Sequence, residues 1–288
     1  MSKLSVALAT RNEEQNIGSC LESIKDIADE IVVVDEESSD KTREIVKEYG
    51  ARVIVVKHEP IFHINKQKAL DAASGDWILQ LDADEIVRKE LGDEIKKVIK
   101  LNYSQVVSRK FDRKKERLFK KHFMAIEKRD GKIGKKSGEI VAFFIPRRNF
   151  FLGKPLTYAG LYPDGVIRLV KKNKARFPCK NVHEQMIIDG EVAWLSNDLI
   201  HNDSPALSKY FARLNRYTDL QAEEMKQNHL SKNIFNLLNY IFIMPTKIFF
   251  SLIFIHKGIL DGTRGFLWSM FSSWHYPIAY FKYWQIKQ

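Results

Sequence analysis

The stretch Trp77-Ile78-Leu79-Gln80-Leu81-Asp82-Ala83-Asp84-Glu85 runs from a largely apolar segment straight into an acidic turn. The apolar segment predicts a buried strand, and in an open α/β sheet ligands bind beside the carboxyl ends of the strands. Carboxylate oxygens are the ligands that hard cations such as Mg²⁺ or Mn²⁺ prefer, and such a cation can hold a diphosphate. Asp82 and Asp84 are therefore candidate site residues, with a solvated acidic turn as the alternative.

A second apolar run, Glu30-Ile31-Val32-Val33-Val34, also ends in acid, at Asp35. The residues Ser38-Ser39-Asp40 that follow are typical helix N-caps and indicate a strand-to-helix turn. A third run, at 4–9, leads into Thr10-Arg11-Asn12-Glu13-Glu14. Polar groups thus follow three predicted strands, and we expect them at one edge of the sheet.

Short β-branched runs alternate with segments of helical spacing from residue 4 to residue 84. We predict strands at 4–9, 31–34, 53–56 and 77–81. This alternation is typical of a βαβ series and a parallel sheet. The sequence has neither a G-x-G-x-x-G after the first strand nor a P-loop, so phosphates must be held another way. A metal at the acidic turn would hold them.

The net charge of +11 and the pI near 9.4 predict a polyanionic binding partner: nucleic acid, an anionic membrane surface or phosphorylated glycans. The stretch 107–136 is the most basic part, with 13 Lys and Arg against 4 Asp and Glu. We interpret it first as a solvated, partly mobile insertion and alternatively as an electrostatic guide for an anionic acceptor. The two cysteines support neither a zinc site nor a disulfide framework, and the early first strand leaves no room for a secretory signal, so we expect a cytoplasmic protein.

The chain changes character from about Pro205. Apolar residues recur at helical spacing between residues 207 and 217 beside basic ones, which predicts an amphipathic helix. Only 14 residues between Lys232 and Lys247 lack charge, so we expect no transmembrane helix. Three of the five tryptophans lie in the last 21 residues among Tyr, Phe and Lys, a mixture that favours the headgroup layer of a membrane. Alternatively, these aromatic side chains cover the core of the protein or pack against a second copy of the chain.

Taken in order and at their spacing, the motifs at 10–14, 34–42 and 81–85 resemble family 2 glycosyltransferases. Downstream, Tyr162-Pro163-Asp164, Val182-His183-Glu184 and Ile200-His201-Asn202 resemble the branch that includes bacterial lipopolysaccharide-core glucosyltransferases. The resemblance implies an α/β fold of GT-A type, a mostly parallel sheet flanked by helices, here followed by C-terminal amphipathic helices. It also implies transfer of a sugar from a nucleotide donor with inversion.

The resemblance assigns roles to individual residues. The nucleoside is expected to contact Thr10, Asn12, Glu13 and Asp35. Asp82 would lie near the ribose or the metal, Asp84 would bind the cation, Mn²⁺ or Mg²⁺, and His201 would be a further metal ligand or else a structural histidine. Arg168, close to the Gly165 turn, is a candidate for a bidentate phosphate contact, with a surface salt bridge as the alternative.

An inverting displacement also needs a general base to take the proton of the acceptor hydroxyl. Glu184 matches the place where the family carries that base. Asp164 and Asp189 are less favoured, because each lies beside a glycine turn that accounts for it.

We expect three parts: a nucleotide-sugar-binding half at 1–105, an acceptor-binding half at 106–204 and a helical membrane-surface or oligomerisation region at 205–288. The expected activity is metal-dependent transfer from a nucleotide sugar, with UDP-hexose as the expected donor, to a cell-surface glycan or a lipid-linked acceptor. The expected place is the cytoplasmic, inner face of the cell membrane. A metal-dependent nucleotidyltransferase or phosphotransferase is one alternative. A nucleic-acid-binding protein is another, but the basic stretch has few stacking aromatics, so we expect no nucleic-acid partner.

Overall fold

The computed structural model describes residues 2–180 and 185–286. The chain forms two compact units. Unit 1 comprises Met1–Arg147 and Pro163–His201, and unit 2 comprises Arg148–Tyr162 and Asn202–Gln288. The expected three-part division concerns function and stays a prediction.

The strands are β1 (Leu4–Thr10), β2 (Glu30–Asp35), β3 (Arg52–Val55), β4 (Trp77–Leu81), β5 (Glu85–Val87), β6 (Ile140–Phe151), β7 (Lys154–Pro155), β8 (Asp164–Lys171), β9 (Ala175–Arg176), β10 (Ile187–Ile188), β11 (Glu191–Trp194) and β12 (Leu199–Ser204). The helices are α1 (Ile17–Ile24), α2 (Thr42–Glu48), α3 (Phe62–Ala72), α4 (Lys89–Val98), α5 (Tyr103–Val107), α6 (Arg113–Asp130), α7 (Leu207–Gln227), α8 (Ile234–Leu238), α9 (Met244–Phe250) and α10 (Gly262–Gln285). Two π-helical segments, Asn239–Ile243 and Ser251–Ile255, continue α8 and α9, and a 3₁₀ turn at Gly258–Asp261 precedes α10.

The main sheet runs in the order β3-β2-β1-β4-β8-β6-β12-β5, and β7 and β11 also pair with β6. The strands β3, β2, β1 and β4 are mutually parallel, so the predicted βαβ series is confirmed. Beyond β4 the direction changes, because β8 is antiparallel to both β4 and β6. The α/β class with C-terminal helices is confirmed, and the later, turn-rich part of the sheet is mixed.

The strand ends are aligned by the register of the parallel pairs. Thr10 pairs with Asp35, and Leu8 pairs with Leu81. The polar residues that follow β1, β2 and β4 therefore share one edge of the sheet, as the sequence predicts.

The sheet of unit 1 is buried on both faces. Leu4, Val6 and Leu8 of β1 point into one core cluster, and Ala7 between them points into another, as alternation along a strand requires. On the first face, α1 buries apolar side chains at helical spacing, namely Ile17, Cys20, Leu21 and Ile24. Cys20 is thus a core residue.

The basic stretch contains a long helix, α6, which the interpretation as a solvated, mobile insertion missed. Asp112 caps it by accepting hydrogen bonds from the backbone N–H groups of Lys114 and Lys115. Phe119 on its inner side stacks on Trp194 with 4.3 Å between ring centroids. Few apolar positions anchor this helix, so its sequence pattern is weak.

In unit 2, α7 packs on α10. The predicted amphipathic helix is confirmed, since Tyr210 and Leu214 of α7 are buried. Part of the aromatic C-terminus belongs to this core, because Phe271, Tyr280 and Tyr283 are buried. Other aromatic side chains of α10 are exposed, namely Phe266, Trp274, Phe281 and Trp284.

The stretch Ile234–Ile255 is helical throughout and is long and apolar enough to cross a membrane, judged by length and composition alone. The expectation of no transmembrane helix counts only the 14 uncharged residues before Lys247, whereas the helical stretch continues past this lysine. Its mean hydropathy is 1.7 over the most apolar 18 residues, and 11% of that window is buried.

Candidate active site

Asp35 lies fully buried at the end of β2, where it fixes the loop that follows. Its carboxylate accepts hydrogen bonds from the backbone N–H of Ser38 at 2.9 Å and from Ser38 Oγ at 2.5 Å. Thr10 Oγ1 donates to the same carboxylate at 3.3 Å, and Arg43 Nε lies 3.6 Å from it. Two strand ends are thereby joined at this edge of the sheet.

The loop after β1 is fastened to the loop after β2. Asn12 has a φ of 54°, a left-handed conformation that Asn adopts more readily than most residues. Its backbone N–H donates to Ser38 Oγ at 2.9 Å, and its side-chain oxygen accepts from the N–H of Ser39 at 2.8 Å. The N–H of Glu13 donates to Thr42 Oγ1 at 2.8 Å. The four residues predicted to contact the nucleoside are therefore brought together: Thr10, Asn12, Glu13 and Asp35.

Asp82 is held by two cations. Lys66 Nζ, from α3, lies 2.5 Å from Oδ1, and Arg168 Nη2, from β8, lies 2.5 Å from Oδ2. Burial alone would raise the pKa of Asp82, but Arg168 and Lys66 hold it well below the usual range for an aspartate. Asp82 is therefore ionised and engaged on both oxygens.

Arg168 is buried and has several acceptors, so it is not a surface salt bridge. It donates to Glu85 Oε1 at 2.8 Å and to the side-chain oxygen of Gln80. Arg147 joins the network, 2.8 Å from Asp164 Oδ2 and 3.4 Å from Glu85 Oε1. Burial lowers the pKa of Arg168, but the carboxylates of Asp82 and Glu85 outweigh that effect and raise it. The acidic turn at residues 82–85 is thus neutralised from the second half of the sheet.

Asp84 lies beside His201, with 3.6 Å between Asp84 Oδ1 and His201 Nε2. The antiparallel pairing of β12 with β5 sets His201 opposite Glu85 and so brings the imidazole to the acidic turn. Burial, together with the charge of Arg147, lowers the pKa of His201 well below its usual value. Imidazole and carboxylate are both groups that bind divalent cations in proteins, so this pair is a candidate metal site.

Within the described part of the chain, no group of three or more His, Cys, Asp or Glu side chains gathers around one point. Asp84 and His201 are the two residues that the sequence predicts as metal ligands, and the structure brings them to 3.6 Å, but their role stays a prediction. Buried polar atoms without a partner lie in the same unit. In residues 2–180 and 185–286, neither polar atom of the Asn65 side chain nor Arg168 Nε has a hydrogen-bond partner. Such unmet groups suit a polar ligand.

The other predicted residues are less central. Glu184, with its motif neighbours at 181–183, lies outside the described residues, so its assignment stays a prediction. Asp164 is paired with Arg147, and Asp189 is exposed and lies 2.5 Å from Lys135 Nζ.

A cavity of about 670 Å³ opens beside Trp77, at the opposite end of β4 from the acidic turn.

Sequence reasoning missed Lys66 and Arg147, and it placed Glu85 in the acidic turn without giving it a role of its own. Lys66 is 8% exposed and lies on the inner side of α3, near the buried Ala69 and Leu70. A lysine placed three and four residues before two apolar positions was the available signal. Nothing comparable marks Arg147, because its partners come from distant segments.

A family model of glycosyl transferase family 2 matches residues 5–158. This chain belongs to that family of glycosyltransferases, whose GT-A type architecture agrees with the sheet described above. An uncharacterized glycosyltransferase of Rickettsia typhi is 43% identical over 97 residues, which cover 33% of this chain and 32% of that protein. The match thus spans about a third of the length of that relative.

A lipopolysaccharide core biosynthesis glycosyltransferase, LpsC of Rhizobium meliloti, is 25% identical over 274 residues, covering 93% of this chain and 86% of that one. Among solved structures, glucosyl-3-phosphoglycerate synthase from Mycobacterium tuberculosis was determined with Mn²⁺, uridine diphosphate and glucosyl-3-phosphoglycerate. It is 32% identical with a TM-score of 0.27 and covers 30% of this chain and 34% of that chain.

Proposed function

We propose that this glycosyltransferase is a metal-dependent, inverting enzyme that moves a hexose from UDP to an anionic cell-surface glycan or lipid-linked acceptor. The observation that carries the proposal is the pair Asp84 and His201, 3.6 Å apart at the strand edge that also bears Asp35. A nucleotide sugar needs a nucleoside site and a diphosphate site side by side, and this edge offers both.

The nucleoside is proposed to lie against Thr10, Asn12, Glu13 and Asp35. Two of these residues, Asn12 and Glu13, are tied to the segment after β2 by three hydrogen bonds at 2.8–2.9 Å, so the site is preorganised for a ligand. The buried carboxylate of Asp35 would accept a hydrogen bond from the base. Uridine is the base expected from the family resemblance.

Asp84 and His201 would hold the cation, Mn²⁺ or Mg²⁺, and its chemistry would be to neutralise the charge that develops on the departing diphosphate. Asp82 has a different part in this proposal. Because Lys66 and Arg168 occupy its carboxylate, Asp82 fixes the acidic turn and aims Asp84. The ribose contact and the phosphate contact predicted for Asp82 and Arg168 would be made from within this network.

Glu184 is proposed as the general base that takes the proton from the acceptor hydroxyl. The motif match supports this role. Replacement by glutamine keeps the shape of the side chain and removes the base, so turnover should fall while nucleotide binding persists.

An anionic acceptor is supported by the outer side of α6. Basic residues stand exposed there at helical spacing, a set that we call the basic stripe: Arg113, Lys114, Arg117, Lys120, Lys121 and Lys128. On its inner side, His122 Nε2 accepts a hydrogen bond at 3.1 Å from the N–H of Gly165, the neighbour of Asp164. The basic stripe is therefore anchored beside the network of the acidic turn, where an acceptor must arrive.

The similarity to LpsC supports a role in lipopolysaccharide core assembly, and the acceptor proposed for that role is linked to a lipid. We therefore propose a cytoplasmic location at the inner face of the membrane, consistent with a net charge of +11.

The experiment is release of sugar from a panel of nucleotide hexoses, with Mn²⁺, Mg²⁺ or EDTA, by the native chain and by Asp84→Ala and Glu184→Gln. We expect turnover of a UDP-hexose that needs the metal and is lost in both variants, while UDP still raises the melting temperature of Glu184→Gln. Transfer of a nucleotidyl or phosphoryl group in place of the sugar, or unchanged turnover in Asp84→Ala, would overturn the proposal.

A further inference from the structure

The stretch Ile234–Ile255 of unit 2 turns its apolar side outward. Phe235, Phe242 and Phe254 are 78%, 61% and 60% exposed. The large apolar residues exposed along this stretch are Ile234, Phe235, Leu238, Phe242, Ile243, Phe250, Phe254 and Ile255. Their spacing of about four residues matches the mixture of α and π turns, so they line one side, which we call the outward apolar face.

The opposite side of this stretch is occupied by protein. Tyr240 stacks on Tyr280 of α10 with 4.9 Å between ring centroids, and Leu237 packs into the same cluster. Ile253 is buried near the other end. A helix that crosses a bilayer alone is surrounded by lipid, whereas this one is bound to α10 along one side. The geometry therefore fits a helix that lies in the plane of an interface.

The charges around the outward apolar face have one sign. From residue 225 to residue 260 the chain has no Asp or Glu, and it has four lysines at 226, 232, 247 and 257. Lys247 and Lys257 are exposed. Lysines beside an apolar face are suited to anionic headgroups, which attract cationic side chains near the surface.

The helix α10 also exposes large apolar side chains. Phe266 packs edge-on against Phe249 at 5.7 Å, which joins the two helices, and Trp274 and Trp284 are 44% and 46% exposed. Tryptophan is enriched at membrane interfaces, where its ring meets both acyl chains and water. So many exposed large apolar side chains on one unit are unusual for a protein that faces only water.

We propose that the outward apolar face inserts in the plane of an anionic lipid bilayer, at the boundary between headgroups and acyl chains. This deepens the membrane-surface location of the proposed function and rests on it. The attachment is made by Phe, Ile and Leu side chains of one helical stretch, with lysines contacting headgroups, and the chain does not cross the bilayer.

The test is sedimentation of the full chain with vesicles of phosphatidylcholine alone or with about one third phosphatidylglycerol. The test variant carries Phe235→Gln, Phe242→Gln and Phe254→Gln. The matched control carries Val55→Gln, Val107→Gln and Met124→Gln, which are 51%, 60% and 61% exposed in unit 1. We expect the native and control chains to bind the anionic vesicles with equal affinity. The affinity of the test variant should be at least about tenfold lower.

Equal binding by the test variant would overturn the proposal. So would resistance of the bound native chain to alkaline carbonate, which releases surface-bound proteins and leaves spanning ones in place. A native dimer that the test variant converts to monomer, without vesicle binding, would assign the face to a second copy instead. The rise in melting temperature with UDP and Mn²⁺ is measured on the same samples. It reports on the nucleotide site alone, so failure of the membrane proposal is distinguished from failure of the proposed function.

Discussion

Arg168 and Asp82 form an ion pair across the sheet, with 2.5 Å between Nη2 and Oδ2. One residue belongs to β8 and the other follows β4, so the second half of the sheet determines the charge state of the acidic turn. The two aspartates of this turn consequently differ. Asp82 is paired with two cationic side chains of the protein, whereas Asp84 lies 3.6 Å from His201.

Replacement of Arg168 by methionine should destabilise the fold strongly. It leaves the buried carboxylate of Glu85 and the half-buried one of Asp82 without their main counter-charge, and loss of one partner of a buried ion pair costs about 3–5 kcal/mol. Urea unfolding followed by circular dichroism measures this free energy. Lys171→Met on the same strand is the control, because its ion pair with Glu139 is exposed and should contribute about 0–1 kcal/mol. Equal losses for the two variants would contradict the buried network.

His201→Gln should weaken metal-dependent binding of UDP and leave the fold intact. Glutamine fills a similar space but is a poorer ligand than imidazole, and we expect affinity for Mn²⁺ in the presence of UDP to fall at least about tenfold. Isothermal titration with Mn²⁺, at saturating UDP, measures the change. His256→Gln is the control, because His256 is an exposed histidine of unit 2. If His201→Gln leaves the affinity for Mn²⁺ unchanged, His201 is a structural histidine and not a metal ligand.

The parallel half of the sheet could be predicted from the sequence because its signals are local. Each of β1, β2 and β4 is a short β-branched or apolar run that ends in polar residues, and the observed bounds lie within a residue of the predicted ones. The predicted grouping of Thr10, Asn12, Glu13 and Asp35 rests on the same regularity. Parallel strands with helical crossovers place their carboxyl ends together without further information.

The acidic turn's partners could not be predicted in this way. Arg147 and Arg168 reach Glu85 through strand pairings that join segments about 60 to 80 residues apart, and no periodic pattern specifies such pairings. His201 reaches Asp84 only because β12 pairs with the three-residue strand β5, which is too short to stand out in a sequence. Resemblance, rather than periodicity, singled out His201.

Reversal of charge on the basic stripe should slow transfer to the acceptor and spare the donor site. For Arg117→Glu, Lys120→Glu and Lys121→Glu we expect a KM for an anionic acceptor raised about tenfold or more at low salt, with a smaller effect at about 0.5 M salt. Hydrolysis of the donor without acceptor should be unchanged.

The control for the basic stripe carries the same change of charge elsewhere in unit 1. Lys47→Glu, Lys89→Glu and Lys97→Glu alter exposed residues of α2 and α4. Kinetics measured across a salt series separate a local contact from an effect of net charge. If both triple variants raise the KM equally, the basic stripe has no special part in acceptor binding.

Because of His122, the free energy of unfolding should decrease in mild acid. Burial lowers the pKa of His122, whose Nε2 accepts the N–H of Gly165 and must be unprotonated to do so. The unfolded chain takes up a proton near pH 6.5 that the folded chain resists, so this contribution to stability is full above that pH and is lost as the pH falls from about 6.5 toward the lower pKa of the folded state. His122→Gln keeps an acceptor for Gly165 but cannot titrate. Between about pH 7.5 and pH 5.5, the urea midpoint of this variant should fall less than that of the native chain. If the midpoints of both chains fall equally with pH, His122 is not the group responsible.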